Sequence, residues 1–435
     1  MTGLVYSCMD ISNDGFRHNM PDTHLSMAGW IMDKNVGIYI HIPFCASKCA
    51  YCDFYSLVGC DQLMPKYQNA LIKQFRDAEE ILSPYLIDTI YFGGGTPSYY
   101  GAKRIIQLFN ALKKYGRVLL ESEVTIEVNP DSISLWDLRQ LRKAGVNRLS
   151  IGAQTANDKL AASLGRRHNF AQVEKTVANA RRAGFDNISL DLIFGLPNQS
   201  RVDWAETLGL AAALKPEHIS CYGLRIEEGT PLYLYKDFPD IPDDDDQADM
   251  YLYTVEALHD LGFHQYEISN FAVSGRESRH NLKYWNREEY FGFGPTASSY
   301  VGDLRYTYVS DLVAYIGGLE RGESVIVSQD DIPKSEQAVE YLMLGLRTTR
   351  GITGQEYYRI YQSNFEPIEA LLEGYARKGW AVRRGDRWRF TPAGFLLSNQ
   401  LIREILDAHS EQKFVVGMPW RKNDYRGEMQ QIEFS

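Results

Sequence analysis

Apolar and polar positions between residue 37 and about residue 270 alternate between strand-like runs and amphipathic, helix-like stretches. The apolar runs predict strands at 37–44, 86–92, 123–128, 148–153, 187–194 and 218–222. The stretches between them predict helices at 66–82, 102–115, 134–144, 171–183 and 203–214. Repeated strand–helix units imply parallel strands joined by right-handed crossovers. We therefore predict an α/β fold built on a partial (β/α)6 barrel, with its chemistry at the carboxyl ends of the strands.

A second pattern begins near residue 335. It predicts helices at 335–346, around 353–361, at 368–378 and at 394–406, with two short strands at 381–384 and 387–391. Helices with a small β wing indicate a C-terminal helical, winged-helix-like domain. Residues 275–330 are rich in Gly, Tyr and Ser and lack clear periodicity. We predict a flexible extension at 1–35, the barrel at 36–270, a connecting segment at 271–334, the winged-helix-like domain at 335–410 and a tail at 411–435.

The composition argues against several classes of function. The 435 residues are 44% hydrophobic and 23% charged, with a net charge of -10, which argues against bulk binding to nucleic acid or to an anionic membrane surface. No apolar run approaches the roughly 20 residues that a membrane helix needs. Six cysteines do not make a disulfide scaffold, and the acidic first 35 residues do not resemble a signal or transit peptide. We expect a cytoplasmic protein with no integral membrane segment and no nucleic-acid partner.

Three of the cysteines are clustered directly after the first predicted strand. Cys45, Cys49 and Cys52 form a CxxxCxxC pattern that follows His41. Three thiolates on one short loop can hold three corners of a [4Fe-4S] cluster and leave the fourth iron open to a small molecule. Structural zinc with His41 as a fourth ligand and unligated buried thiols are the alternatives, although zinc sites more often pair two CxxC-like units.

This spacing on the first strand of a partial barrel resembles the radical S-adenosylmethionine (SAM) superfamily. The resemblance implies that Cys45, Cys49 and Cys52 bind a [4Fe-4S] cluster whose open iron is chelated by SAM. One electron from the cluster then cleaves SAM, while the protein positions SAM and excludes water.

Further blocks occur in order at the predicted strand ends and resemble the coproporphyrinogen III dehydrogenase branch of that superfamily. They are the glycine motif GGGTP at 93–97 and the blocks EVNP, SIGAQT, LGRRH and DLIFGLP. Glycines lack a Cβ, so a backbone can approach a ligand closely at such a motif. The alternative for the carboxylates in these blocks is a structural ion pair inside the barrel. The resemblance implies SAM contacts from Tyr39, Tyr51, Gly94, Gly95, Thr96, Glu127, Gln154, Arg166 and Asp191.

Two details indicate a heme-chaperone branch within the family. The oxygen-independent coproporphyrinogen dehydrogenases carry a further cysteine two positions after the last ligand, where this chain has Phe54. The block at 279–285 reads RHNLKYW and resembles an HNxxYW motif of the chaperone branch. The resemblance implies heme-related roles for His280, Asn281, Tyr284 and Trp285, because an imidazole can bind iron and aromatic faces suit a porphyrin. A core histidine with packed aromatics is the structural alternative.

One block departs from the family. The segment at 292–300 resembles GxGxxAHSY, but Ser298 stands where the family has histidine, and a serine is a poor heme ligand.

The resemblance implies a protein that binds heme and a SAM-liganded [4Fe-4S] cluster and transfers heme to an acceptor such as a respiratory haemoprotein. It also implies an electron donor such as a flavodoxin or ferredoxin, and a homodimer. No catalytic residue is assigned. The alternatives are oxidative decarboxylation of coproporphyrinogen III propionates and a nucleic-acid module, the latter from Arg383, Arg384, Arg387 and Arg389 on the predicted wing.

Overall fold

The computed structural model describes residues 34–235 and 240–415. The extension predicted at 1–35 therefore falls almost entirely outside the described residues, as does the tail beyond residue 415. The strands are β1 (Lys34–Ile42), β2 (Phe44–Cys45), β3 (Leu57–Val58), β4 (Tyr85–Gly94), β5 (Val118–Val128), β6 (Arg148–Gln154), β7 (Ile188–Phe194), β8 (His218–Gly223), β9 (His264–Gln265), β10 (Asn270–Ala272), β11 (Tyr290–Phe293), β12 (Ser298–Val301), β13 (Leu304–Tyr308), β14 (Ile326–Asp331), β15 (Ile352–Thr353), β16 (Ala381–Arg384) and β17 (Arg387–Phe390).

Helices connect most of these strands. They are α1 (Met64–Asp77), α2 (Glu79–Leu82), α3 (Pro97–Tyr100), α4 (Ala102–Tyr115), α5 (Leu135–Ala144), α6 (Asp158–Ser163), α7 (Phe170–Arg182), α8 (Arg201–Ala213), α9 (Asp244–Asp260), α10 (Arg279–Trp285), α11 (Leu312–Arg321), α12 (Lys334–Gly345), α13 (Gly354–Tyr361), α14 (Glu366–Arg377), α15 (Pro392–Leu396) and α16 (Ser398–Val415). Local signals set several boundaries: Ser134, Asn169 and Ser200 form capping boxes at the starts of α5, α7 and α8.

The six predicted barrel strands are confirmed as β1, β4, β5, β6, β7 and β8. They are neighbours in that order in one sheet, and every pairing between them is parallel. Helices follow the strands as the crossover rule requires. Since parallel strands point the same way, their carboxyl ends share one edge of the sheet.

The sequence between residues 275 and 330 is more regular than its composition indicates. β11 pairs in parallel with β1, with Gly37 opposite Tyr290 and Ile40 opposite Phe293, and β12, β13 and β14 continue the sheet antiparallel. The predicted connecting segment thus extends the barrel sheet. Single-sequence periodicity misses these strands because they are short and β11 finds its partner some 250 positions away in the chain.

The C-terminal module contains the helices and wing that the sequence predicts. β15, β17 and β16 form a three-stranded antiparallel sheet beside α12–α16. The last predicted helix, 394–406, is instead divided into α15 and α16. A buried carboxylate joins this module to the barrel sheet: Glu340 of α12 accepts hydrogen bonds from Arg287 and Arg305, both at 2.8 Å.

α10, which carries the HNxxYW motif, packs against β4 and β5. The Glu123 carboxylate accepts the backbone N–H groups of Arg279 and His280, at 3.1 and 3.0 Å, which satisfies the free donors of the helix N-terminus. A buried ion pair between Lys283 and Asp88, at 2.9 Å, adds a second attachment. These contacts fix the motif on the inner side of the barrel sheet.

His280 is buried within these contacts and is 1% exposed. Its Nδ1 hydrogen-bonds to Thr89 Oγ1 at 2.8 Å, and its Nε2 hydrogen-bonds to the Tyr284 hydroxyl at 2.8 Å. The imidazole stacks on the ring of Tyr91, with centroids 5.3 Å apart. Both ring nitrogens therefore have protein partners.

Among the described helices, none combines the length and the apolar composition that a membrane span requires.

A pH dependence of stability follows from the burial of His280. Burial, with a smaller contribution from the Lys283 charge, lowers the pKa of His280 to about 3, against about 6.5 for an unfolded histidine. Above pH 6.5 neither state carries the proton. As pH falls from 6.5 toward 3, the unfolded chain binds a proton that the folded chain does not, so the free energy of unfolding decreases by up to about 1.4 kcal/mol per pH unit.

Urea unfolding of the wild type and of His280→Gln between pH 7 and pH 4 measures this dependence. The slope of stability against pH should be smaller in the variant by about one proton. Equal slopes would contradict the placement of a neutral His280 in the core.

Candidate functional site

Backbone hydrogen bonds hold the cysteine loop over the carboxyl edge of the barrel. The N–H of Ala50 donates to the carbonyl of Leu164, at 3.0 Å, and the carbonyl of Ala50 accepts the N–H of Leu232, at 2.9 Å. The N–H of Leu57 donates to the carbonyl of Pro43, at 2.7 Å, which closes the base of the loop. The loop is therefore tied to segments that follow β6 and β8.

The three thiols are free of disulfides and partly or fully buried. Cys45 Sγ lies 3.2 Å from Thr96 Oγ1, and Arg166 Nη1 donates to Cys49 Sγ at 3.6 Å. Burial raises the pKa of Cys45, and burial raises the pKa of Cys52 to about 11. A thiolate here therefore requires a positive partner, such as iron, to offset its loss of hydration.

His41 is already engaged by the protein. Its Nε2 donates to the carbonyl of Tyr55 at 2.9 Å, so its Nδ1 accepts the hydrogen bond from the Tyr39 hydroxyl at 3.0 Å. Burial lowers the pKa of His41 to about 4. Among residues 34–235 and 240–415, no three His, Cys, Asp or Glu side chains are grouped as ligands of a single metal ion. The zinc interpretation with His41 as fourth ligand therefore lacks a free imidazole in this structure.

The glycine motif at the end of β4 packs against the cysteine loop. A Cβ on Gly94, where φ is +111°, would lie 2.6 Å from the His41 ring, and a Cβ on Gly95 would lie 2.9 Å from the carbonyl oxygen of Ile42. The N–H groups of Gly95 and Thr96 donate to the backbone beside the loop, at 2.8 and 2.9 Å. A Cβ at either position would meet the protein itself, so close packing is a reason for glycine here beside the predicted approach of a ligand.

Glu127 occupies the end of β5 next to this motif. Its carboxylate accepts hydrogen bonds from the Tyr91 hydroxyl, at 2.9 Å, and from the Gly94 N–H, at 3.1 Å. Burial, reinforced by the charge of Asp191, raises the pKa of Glu127 to about 8. The carboxyl group can therefore exist in either protonation state near neutral pH, and a cationic ligand would favour the ionised form.

Three serine hydroxyls hold Asp191 on β7. Ser150 donates at 2.8 Å, Ser189 at 3.2 Å and Ser220 at 2.7 Å. The serines come from three adjacent strands whose register places Asp191 beside Gly152 and Ser220. The side chain is hydrogen-bonded rather than ion-paired, so the structural ion pair considered for this residue is absent from the described residues.

Arg166 and Gln154 lie where β6 ends. The Arg166 guanidinium donates from Nη2 to the carbonyl of Gly152, at 2.8 Å, and to Asn129 Oδ1, at 3.2 Å. Gln154 adopts a left-handed conformation with φ of 65°, which is costly for a residue with a side chain and recurs at functional sites. Arg166 Nε is buried without a hydrogen-bond partner, so the guanidinium retains a donor for a further acceptor.

Two tyrosines complete the SAM set that the sequence predicts. The Tyr39 ring stacks with Tyr91, with centroids 6.3 Å apart, and burial raises its pKa. Tyr51 packs beside the apolar cluster of Leu160, Leu164 and Ile193, close to Arg166. The structure thus brings the predicted SAM residues and the cysteine loop to the same edge of the sheet.

The HNxxYW residues lie deeper in the barrel. His280 contacts Thr89 and Glu123, which precede Gly94 and Glu127 by five and four positions on their strands. Tyr91 connects the two groups, since its hydroxyl binds Glu127 and its ring stacks on His280. Tyr284 packs edge-to-face on Tyr290, and Asn281 and Trp285 are partly exposed on the same helix.

Phe54 and Ser298 are the two positions at which this chain departs from the motifs described above. Phe54 is 44% exposed beside the cysteine loop. Ser298 hydrogen-bonds to Thr307 across β12 and β13 at 2.9 Å, so it acts as a strand residue.

Arginines of the wing are largely engaged within the C-terminal module. Arg383 pairs with Glu369 at 3.1 Å, Arg387 pairs with Glu356, and Arg389 donates to the carbonyl of Thr349. Arg384, the fourth arginine of the wing, is exposed.

Tyr91 and the three serines around Asp191 are not among the site residues predicted from the sequence. A polar residue in an otherwise apolar strand was the available signal for each serine, because a lone hydroxyl in a buried strand needs a partner. Tyr91 gives no such signal, since its partners come from β5 and α10.

Two family models match this chain. A family model of the radical SAM superfamily matches residues 39–211, and a model of the HemN C-terminal domain matches residues 332–397.

Full-length relatives are also similar. The heme chaperone HemW of Bacillus subtilis (strain 168) is 36% identical over 374 residues, which cover 85% of this chain and 98% of that protein. The heme chaperone HemW of Lactococcus lactis subsp. lactis (strain IL1403) is 32% identical over 382 residues, covering 86% of this chain and 98% of that protein.

Among solved structures, coproporphyrinogen III oxidase (HemN) from Escherichia coli, a radical SAM enzyme, has the same fold. Its TM-score is 0.76 at 22% identity, over 87% of this chain and 91% of that one. The chain therefore belongs to the radical SAM superfamily and, within it, to the coproporphyrinogen III dehydrogenase-like family that includes the HemW proteins.

Proposed function

We propose that this protein is a heme chaperone that binds heme and passes it to an acceptor protein. The observation that carries the proposal is its similarity, over nearly their whole length, to relatives named as heme chaperones. Phe54, at the position of the extra cysteine of the oxygen-independent coproporphyrinogen dehydrogenases, supports the same conclusion.

We further propose that Cys45, Cys49 and Cys52 hold a [4Fe-4S] cluster. The donor set fits, because three thiols lie on one anchored loop and no disulfide consumes them. When bound, such a cluster supplies one electron to SAM. Arg166 donates to Cys49 and Thr96 contacts Cys45, so these two side chains stabilise negative charge on the thiolates.

SAM binding is proposed for the residues gathered at the same edge. Glu127 and Asp191 offer carboxylate oxygens, Arg166 retains a buried donor, and Gln154 is held in a strained turn. Hydrogen bonds from serines and from Gly94 hold the two carboxylates in place before a ligand arrives. The complete proposed set is Tyr39, Tyr51, Gly94, Gly95, Thr96, Glu127, Gln154, Arg166 and Asp191.

The HNxxYW residues His280, Asn281, Tyr284 and Trp285 are proposed to act in heme binding. In the described structure both nitrogens of His280 have partners, so iron coordination by this imidazole requires release of Thr89 or Tyr284. We also propose an electron donor such as a flavodoxin or ferredoxin, a homodimeric state and a cytoplasmic location.

Oxidative decarboxylation of coproporphyrinogen III is the second candidate function, because the fold matches that of the Escherichia coli oxidase. At 22% identity that match shows only the fold. Phe54 weighs against the reaction, because it occupies the position of the extra cysteine of the oxygen-independent coproporphyrinogen dehydrogenases.

Anaerobic reconstitution tests the cluster assignment. Cys45→Ala, Cys49→Ala and Cys52→Ala should each lose most of the brown iron–sulfur absorption and the bound iron and sulfide, because a cubane with two protein ligands is poorly held. Cys60→Ala is the matched control, since Cys60 is buried nearby but outside the CxxxCxxC pattern, and it should bind iron as the wild type does. Equal loss in all four variants, or zinc in place of iron, would contradict the assignment.

Absorption titration with hemin tests heme binding by the motif. His280→Ala and His280→Gln should lose the Soret shift of the wild type, because neither side chain can coordinate iron as an imidazole does. Thr89→Val should retain it, since that change frees a nitrogen of His280 without removing the imidazole. Unchanged binding by both His280 variants would remove His280 from the heme site. The second candidate function would be favoured if the wild type shows no Soret shift and its gene rescues a strain that lacks coproporphyrinogen dehydrogenase.

A further inference from the structure

The wall of the barrel at β8 ends in an exposed tyrosine and an exposed arginine. Ser220 faces the barrel interior, because its hydroxyl binds Asp191. Tyr222 lies two residues further along β8 and therefore on the same face. It is 41% exposed, although partial burial, with smaller contributions from the charges of Asp191 and Glu267, raises its pKa. Arg225 lies two residues beyond the end of β8 and is exposed. An aromatic face and a cation thus lie in succession at the mouth of the barrel.

The C-terminal module docks at the same place. The N–H of Cys221 donates to the carbonyl of Ser269, at 2.8 Å, which holds the residues before β10 beside the carboxyl end of β8. Ile268 there donates its N–H to the carbonyl of Arg347 at 3.0 Å, and Thr349 donates its N–H to the carbonyl of Tyr266 at 2.9 Å. These bonds place Arg347, in the loop after α12, near the carboxyl end of β8, where Arg225 also lies. We call this end of β8 and the loops beside it the rim.

Arg225 and Arg347 therefore lie close enough at the rim for their charges to interact. Burial and the nearby charge of Arg225 lower the pKa of Arg347. The Arg347 guanidinium donates to Asn399 Oδ1 at 3.0 Å, a neutral acceptor. Within the described part of the chain, neither Arg225 nor Arg347 has a carboxylate within 4.0 Å.

Some other buried or partly buried arginines of this protein are paired with carboxylates, whereas Arg166 and Arg389 bind neutral acceptors and have no carboxylate within 4.0 Å among the described residues. Arg287 and Arg305 share Glu340, and Arg387 binds Glu356. Bringing two guanidinium groups together costs free energy unless an anion lies between or beside them. An anion that lies between or beside Arg225 and Arg347 would therefore stabilise the pair at the rim.

We propose that Arg225 and Arg347 bind a propionate carboxylate of a tetrapyrrole whose ring lies against Tyr222 inside the barrel mouth. The inference rests on the proposed heme function and adds the substructure of heme that is recognised. A planar guanidinium pairs with a carboxylate through two parallel N–H···O bonds, and an aromatic ring offers a flat face to the macrocycle. Because one arginine comes from the barrel and the other from the C-terminal module, the bound carboxylate joins the two parts.

Titration of the full chain with hemin and with hemin dimethyl ester tests this site. The ester keeps the iron and the ring but has no carboxylates. Arg225→Gln should weaken hemin binding about fivefold, and Arg225→Gln combined with Arg347→Gln should weaken it roughly twentyfold. The ester should bind the wild type and the variants with equal affinity. Arg139→Gln, which removes an exposed arginine on α5, is the matched control and should bind both compounds as the wild type does.

The outcomes separate this site from the proposed function. If Arg225→Gln and the double variant bind hemin with the affinity of the wild type, the arginine site is overturned and the heme function is left intact. A fall in ester affinity equal to the fall in hemin affinity would also overturn it, because the loss would then not involve the carboxylates. Wild type that binds neither compound would overturn the heme function and this site with it. Arg225 is exposed, so its single substitution is informative even if the Arg347 change reduces folding.

Discussion

Parallel pairing of six successive strands is the constraint on which the rest of this structure depends. Since every strand from β1 to β8 in the barrel runs the same way, the loop after β1 and the ends of β4, β5 and β6 meet at one edge. The cysteine loop is then fixed across that edge by the bonds of Ala50 to segments beyond β6 and β8. A shift in any one register would move a carboxylate or a thiol away from the shared site.

Buried polar groups carry much of the specificity of this arrangement. Asp191 receives three serine hydroxyls, and Glu127 receives a phenol and a backbone N–H. Leaving these oxygens buried without donors would cost several kcal/mol each, on the order of the desolvation penalty for a charged group. Tyr91 extends the network to His280, so the proposed SAM site and the HNxxYW helix are parts of one packed interior.

Local pattern predicts the barrel well because strong apolar runs and capped helices alternate along it. The strands β6 and β8, for example, begin at the predicted residues. The local pattern does not predict contacts between residues that are distant in the chain. β11 pairs with β1, and His280 hydrogen-bonds to Thr89, 191 positions away. The local pattern also gives no indication that a Cβ on Gly94 would meet the His41 ring or that one on Gly95 would meet the backbone of Ile42. Arg225 and Arg347 give no sequence signal as a pair, because the docking of the C-terminal module creates their proximity.

The central claim is that the cysteine loop carries a cubane whose open iron accepts SAM. Electron–nuclear double resonance of the reduced, reconstituted protein, mixed with SAM labelled with ¹³C in its carboxylate, tests it most directly. The account predicts a hyperfine coupling between the cluster spin and the labelled carbon, because a carboxylate bound to iron shares its spin density. A cluster signal with no such coupling, or protein that holds tetrahedral zinc in this loop, would contradict the account.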